Sequence, residues 1–256
     1  MSGPLPQIPV GVIAPFDLAL DRELWRWVPD DVTLLLTRTP YVDEPVSIQL
    51  AEAVSDEQDV RRATRELIAV EPRCVAYACT SGSFVHGLAG EKQLVATMRS
   101  AGAPNAVTTS GALLEALAAL DVRRIAVATP YVEDVTAGLR DFLGEAGVET
   151  VGSAQLGLAA EIWKVPYDVT ARLVRDADAP EAGAVFVSCT NLPTYDVIAP
   201  LEAQLGKPVL TANQVTLWSA LRLAGTHAVG EGQRLLSHSR GAPPGGPASG
   251  SHRDCG

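Results

Sequence analysis

The sequence predicts an α/β protein of two pseudo-symmetric halves, each with a parallel sheet, meeting at a cleft that holds the active site. Three observations predict it. Short β-branched runs alternate with longer amphipathic stretches, the order that gives parallel sheets with crossover helices. The apolar runs lack polar alternation, as strands covered by helices on both faces do. The chain also repeats itself: VGVIAP answers IAVATP, VAYACTS answers VFVSCTN, and AVTTSGALLEALAAL answers VLTANQVTLWSALRL, at offsets of about 115, 110 and 103 residues.

The strand candidates, in order, are 10–15, 32–39, 74–79, 105–109, 124–130, 184–189 and 208–212. Helical stretches lie between them at 47–70, 85–101, 111–120, 132–146, 168–178, 195–205 and 214–224. Val60, Ala63, Leu67 and Ile68 recur at helical spacing and mark an inward face. Residues 1–105 with 209–230 are expected to form the first half and 106–208 the second. The stretch 237–256 is rich in Gly, Pro and Ser without periodicity and reads as a disordered tail. Cys255, His238 and His252 fall in it, too sparse a set for a metal site.

The balance of charge narrows the partners. With 20 Lys+Arg against 30 Asp+Glu, the formal net charge is −10. A basic face for phosphate backbones is therefore not expected, which argues against nucleic acid. No run approaches the roughly 20 apolar residues of a membrane span. The opening MSGPLPQIPVGVIAPFD lacks a basic n-region and breaks at Pro15 and Asp17, unlike a secretory signal. Four scattered cysteines make no disulfide framework, so a reduced, cytoplasmic protein is expected.

Cys79 and Cys189 each end an apolar strand and enter a Cys-Thr turn, Cys-Thr-Ser-Gly-Ser in one half and Cys-Thr-Asn-Leu-Pro in the other. A strand that stops in such a turn aims backbone N–H groups beside the sulfur. Those groups bind anions and favour thiolate. Thr80, Ser81, Thr190 and Asn191 add hydroxyl or amide donors, so a carboxylate can be held without Lys or Arg. The plainer reading is that a strand-end Cys is a small buried hydrophobe. The recurrence of one pattern at matching places in both halves argues against it. Cys74 begins its strand, has no Thr-Ser after it, and reads as core. His86 reads as a packing or surface histidine, and Trp25 and Trp27 as helix packing or interface. No dinucleotide fingerprint, phosphate loop, serine-nucleophile elbow or metal spacing occurs.

The residues AYACTSGSF, ATPY, SCTNL and LEAQLGKPVLTANQVTLWSALRLAG resemble the aspartate/glutamate racemase superfamily, and within it the maleate cis-trans isomerases and arylmalonate decarboxylases. The resemblance covers roughly residues 8–226. It implies two flavodoxin-like halves, an active site between them, no cofactor, a small carboxylic-acid substrate, and a homodimer or higher homo-oligomer. It assigns Cys79 and Cys189 as the catalytic thiols, Tyr131 as a carboxylate-binding hydroxyl, and Thr80, Ser81 and Thr190 as turn donors. The decarboxylases carry Gly in place of Cys79, so two thiols favour isomerase or racemase chemistry over decarboxylation. Two departures stand out. Asp17 takes the place of an isomerase Asn; an anion there repels a second substrate carboxylate unless protonated, and suits an amino group or a bulkier apolar part. Asp17 reads equally as a helix N-cap. A second isomerase Asn is replaced within Glu161-Ile162-Trp163.

The expected activity is a cofactor-independent two-cysteine isomerase of the maleate isomerase kind. The alternatives are a decarboxylase using Cys189 alone and a racemase passing protons between the sulfurs. A small-acid binding or sensor module would need neither thiol.

Overall fold

The computed structural model describes residues 7–239, and its described strands lie in two parallel sheets of identical order. The first runs β2-β1-β3-β4, with β1 at Ile8–Ala14, β2 at Val32–Arg38, β3 at Cys74–Tyr77 and β4 at Ala106–Thr108. The second runs β6-β5-β7-β8, with β5 at Arg124–Thr129, β6 at Glu149–Gln155, β7 at Ala184–Val187 and β8 at Val209–Thr211. The expected repeat is thus a repeat of topology. Its half boundaries need correcting at two places: 106–108 pairs with β3 in the first sheet, and 209–211 pairs with β7 in the second. In each sheet the chain moves from a central strand to the edge and returns past it. The resulting switch points fall between β1 and β3 and between β5 and β7, where open α/β sheets take ligands at the strands' carboxyl ends.

The helices are α1 (Asp21–Leu24), α2 (Ile48–Val54), α3 (Glu57–Ile68), α4 (Thr80–Phe84), α5 (Gly87–Ser100), α6 (Thr109–Ala119), α7 (Glu133–Glu145), α8 (Tyr167–Ala177), α9 (Tyr195–Leu205), α10 (Ala212–Leu223) and α11 (Arg234–Ser239). The single helix expected over 47–70 is two. Asp56 interrupts it, its carboxylate accepting from Gln58 N at 2.9 Å and Asp59 N at 3.1 Å as the cap of α3. The tail expected from 237 begins later, since 237–239 close α11; the remainder of that expectation, with His252 and Cys255, lies outside the described residues.

The edge strand β6 is absent from the expected elements. Its sequence, ETVGSAQ, is polar and partly exposed. Gly152 marks why it bends: a Cβ there would stand 2.3 Å from the Ala177 carbonyl oxygen, and the register with β5 slips at this point.

Period-two alternation along β3 divides the interior. Cys74, Ala76 and Ala78 join the main core, which runs through both halves, while Val75, Tyr77 and Cys79 face a second cluster with Val60, Leu67 and Met98 under α3 and α5. Cys74 is buried core, and burial pushes its thiol up to about 12. Helices α6 and α10 begin alike, capped by Thr108 and Thr211. They pack on each other between the halves through Thr109 and Thr216 hydroxyls 2.8 Å apart and a Ser219 Oγ to Glu115 bond of 2.6 Å. Every residue of α10 from Ala212 to Leu221 is buried, the polar side chains of Asn213, Gln214, Thr216 and Ser219 included.

Candidate active site

Four central strands deliver the predicted residues to one place. After β1 the chain turns at Pro15, with Leu18 N donating to the Pro15 carbonyl at 3.1 Å, and Asp17 sits in this turn. It caps nothing: Leu20 holds the N-cap position of α1, so the N-cap reading of Asp17 falls. After β3, Cys79 adopts an extended backbone (φ −138°) at the start of α4. Its sulfur faces the Gly82 N–H and stands 3.8 Å from Ser81 Oγ. Gly82 leaves the room for this: a Cβ there would lie 2.3 Å from the Tyr77 hydroxyl oxygen and 3.3 Å from Cys79 Sγ. The Thr80 hydroxyl is buried and has no hydrogen-bond partner, an orphaned donor at the cavity wall.

After β5 comes Tyr131. Its oxygen accepts from Ser188 Oγ at 3.3 Å, which leaves the phenolic proton for Cys189 or a ligand. After β7, Cys189 takes a left-handed backbone (φ 86°), strained for a residue with a Cβ. Asn191 N donates to its sulfur at 3.4 Å. The Asn191 amide faces elsewhere: its Nδ2 donates to the Asp17 carbonyl at 3.0 Å and Oδ2 at 3.5 Å, and its Oδ1 accepts from Ala19 N at 2.9 Å. Expected as a substrate donor, this side chain clasps the two halves together.

Asp17, Cys79, Thr80, Ser81, Tyr131, Cys189, Thr190 and Asn191 all line one cavity. Pro15, Val46, Leu50, Val54 and Ile162 form its apolar wall. Its volume is about 40 Å³, room for a water or two, so a bound acid requires that wall to move outward. The wall is tied across the halves where Val46 N donates to the Ala159 carbonyl at 2.8 Å. A wider depression of about 560 Å³ near Arg73, Asn105 and Leu223 lies at the amino ends of β3 and β4, away from both thiols.

The electrostatics follow from burial. Burial raises the Cys79 thiol, opposed by the Gly82 N–H and Ser81. Burial pushes Cys189 up to about 12, opposed by the Asn191 N–H and the Tyr131 hydroxyl, with Asp17 and Cys79 adding to the rise. Tyr131 is held well above its usual value by burial and then by Cys189. Asp17 too is raised by burial. Among the described residues no group of three or more His, Cys, Asp or Glu could hold a metal ion. Also among them, no helix is long and apolar enough to cross a membrane.

The sequence reading missed the residues that brace the second turn. Glu23, buried in α1, accepts from Thr194 N at 3.0 Å and Thr194 Oγ1 at 2.9 Å. Asn213 Nδ2 donates to the Thr190 carbonyl at 2.9 Å. A lone acid in a Trp-rich segment carries no local signal, whereas Asn213 stands inside the block that carries the resemblance. Of Glu161-Ile162-Trp163, only Ile162 reaches the cavity; Trp163 is 37 % exposed. Trp27 is packed, its indole donating to Gln233 Oε1 at 2.8 Å, and Trp25 is 43 % exposed. His86 precedes α5 and does not line the cavity.

The arylmalonate decarboxylase family model matches residues 47–236, both cysteine turns included. The chain belongs to this family. It is 38% identical over 151 residues to arylmalonate decarboxylase of Bordetella bronchiseptica, a match covering 57% of this chain and 62% of that protein. It is 26% identical over 162 residues to a maleate isomerase of Geobacillus stearothermophilus, covering 59% and 64%. The aligned part thus spans less than two thirds of either relative. Among solved structures, a liganded arylmalonate decarboxylase bearing a Gly-to-Cys and a Cys-to-Ser exchange superposes with a TM-score of 0.82 at 30% identity, covering 89% of this chain and 98% of that one. A maleate cis-trans isomerase of Nocardia farcinica, with a covalently bound succinylcysteine intermediate, gives 0.77 at 22% identity, covering 89% and 97%, a likeness of fold.

Proposed function

We propose that this family member is a cofactor-independent, two-cysteine isomerase of small carboxylic acids. One observation carries the reading: a thiol from each half, at the two topological switch points, lines a single cavity beside the unpartnered Thr80 hydroxyl. Thr80, Ser81, Tyr131 and Thr190, with the turn N–H groups, hold the substrate carboxylate and stabilise the enediolate-like charge. The Cys79 thiolate forms a C–S bond to one alkene carbon. The π pair moves to the neighbouring carbon, which takes the proton of the Cys189 thiol. The single bond rotates, the Cys189 thiolate takes the proton back, and C–S cleavage releases the trans isomer and restores both sulfurs.

The two thiols divide these roles by environment. Burial raises both thiols; Cys79, with the Gly82 N–H and Ser81 set against that rise, takes the nucleophile's role, and Cys189, pushed up to about 12, that of the proton donor. Mass spectrometry of enzyme trapped with an unsaturated acid is expected to show an adduct on Cys79. Full turnover by Cys79→Ser without any adduct would sink the assignment. The 38% identity to a decarboxylase favours a second reading, in which Cys189 alone protonates the carbanion left by carbon dioxide. That reading expects Cys79→Gly to retain turnover. Proton NMR of substituted malonates, unsaturated diacids and acidic amino acids in deuterium oxide separates these from a racemase, which exchanges the α-proton of its substrate. A reduced, cytoplasmic setting belongs to the proposal, supported by the free thiols of Cys74, Cys79 and Cys189. A homodimer belongs to it through the family resemblance, and sedimentation tests that.

A further inference from the structure

The cavity holds one carboxylate of its own and no cation to balance it: its lining contains Asp17 and no Lys, Arg or His. We propose that Asp17 makes the site select carboxylic acids whose second polar group is a hydrogen-bond donor (an amide, hydroxyl or ammonium) and reject acids carrying a second carboxylate. The inference rests on the isomerase reading and narrows its substrate class.

Three observations carry it. First, the Asp17 carboxylate is weakly satisfied. Beside its own backbone N–H it meets the Asn191 amide at 3.5 Å, and that nitrogen is already committed at 3.0 Å to the Asp17 carbonyl. Second, the cation whose field reaches it is engaged elsewhere. Arg38 forms a two-pronged pair with Asp21 at 2.9 and 3.1 Å and donates to the Leu18 carbonyl at 2.7 Å. Third, the donors that suit a substrate carboxylate stand in the cysteine turns, Thr80 Oγ1 buried and unpartnered among them. A first carboxylate therefore belongs at the turns, and whatever follows it on the substrate meets Pro15, the apolar wall or Asp17. Burial already disfavours the Asp17 anion, and a donor relieves it, while a second anion compounds the penalty. Built-in like-charge repulsion is an effective way to exclude a competitor of the same shape.

Succinate and succinamate test this, because they match in shape and differ by one carboxylate against one amide; butyrate supplies neither group. The whole protein is alkylated with neutral iodoacetamide, and modification at Cys79 and Cys189 is followed by mass spectrometry as each acid is titrated in. Succinamate is expected to protect both thiols at about one tenth the concentration of succinate, a difference of the size a buried charge pair imposes. Asp17→Asn, which adds a donor, is expected to reverse the preference. Asp17→Ala, which removes the carboxylate and adds no donor, is expected to abolish it, should the first variant fail to fold. Succinate protecting as well as succinamate in the unaltered protein overturns the inference while leaving the shared thiol site standing. Protection by none of the three acids overturns both.

Discussion

The two cysteine turns begin from one sequence pattern and end in different physics. At the first, Cys79 keeps an extended backbone and leads straight into α4, where the Gly82 N–H and Ser81 face the sulfur. At the second, Cys189 sits at φ 86° and leads into an irregular stretch that supplies one N–H, from Asn191. The first turn is made locally, by its own helix start. The second is held from outside, by Glu23 on Thr194, Asn213 on the Thr190 carbonyl and the Asn191 clasp on the Asp17 turn. One sequence pattern thus supplies two buried thiols, both raised by burial, the first held by its own helix start and the second by distant residues.

Removing each sulfur sharpens that contrast most. Cys79→Ser and Cys189→Ser are each expected to lower turnover by about a thousandfold or more, the scale of losing a nucleophile or proton donor. The two differ in what accumulates. Cys189→Ser should still form the adduct on Cys79 and stall there, whereas Cys79→Ser should form none. Intact-mass measurement after mixing with substrate separates them, and identical behaviour would erase the division of roles.

The pH dependence comes next. Both thiols titrate above the ordinary value in the folded chain, Cys189 at about 12. Alkylation of Cys189 is therefore expected to accelerate only as pH approaches about 12, while Cys79, whose rise the Gly82 N–H and Ser81 oppose, is expected to follow a profile of its own. The sign for stability follows. A thiol whose folded pKa is raised favours folding below its unfolded pKa, and that contribution is lost as pH climbs from the ordinary thiol value of 9.0 towards about 12. Alkaline unfolding of Cys189→Ser should be shallower across that window, measured by circular dichroism. Equal alkylation profiles for the two thiols would break the comparison.

How much of this could be read beforehand depends on whether an interaction is local. The strands carrying Cys79 and Cys189, and their Thr-Ser and Thr-Asn followers, are contiguous patterns, so both turns were legible. The split at Asp56 was legible in principle as an Asp cap inside a long periodic stretch. β6 was not, because an exposed edge strand carries no apolar run. The Asn191 side chain shows the limit most plainly. A polar residue after a thiol suggests a ligand donor, yet partners 172 and 174 positions away claim its amide. Glu23 and the Val46–Ile162 wall likewise become site residues only when distant segments meet.

The external bracing of the second turn makes a middle-sized prediction. Glu23→Gln keeps shape but turns an amide donor towards the Thr194 N–H or hydroxyl, leaving a buried group unmatched. A loss of about 1–3 kcal/mol in stability is expected, with a fall of roughly tenfold in turnover as Cys189 loses its fixed aim. Substrate affinity should move less, since the Thr80 side of the cavity is untouched. An unchanged rate in the folded variant would show that the second turn holds itself.

The smallest effect sets the two backbones against each other directly. Replacing either cysteine by glycine removes a buried sulfur of similar exposure, 5% at Cys79 and 9% at Cys189, so the packing loss is nearly common to both. The backbone term differs in sign. At Cys79, with φ −138°, glycine adds chain entropy to the unfolded state and destabilises. At Cys189, with φ 86°, glycine adopts the left-handed conformation freely and releases the strain. Cys189→Gly is therefore expected to be more stable than Cys79→Gly by about 1–2 kcal/mol, read from paired urea titrations. Equal midpoints would mean that the left-handed backbone at Cys189 stores nothing, and that the thiol is aimed by its bracing contacts alone.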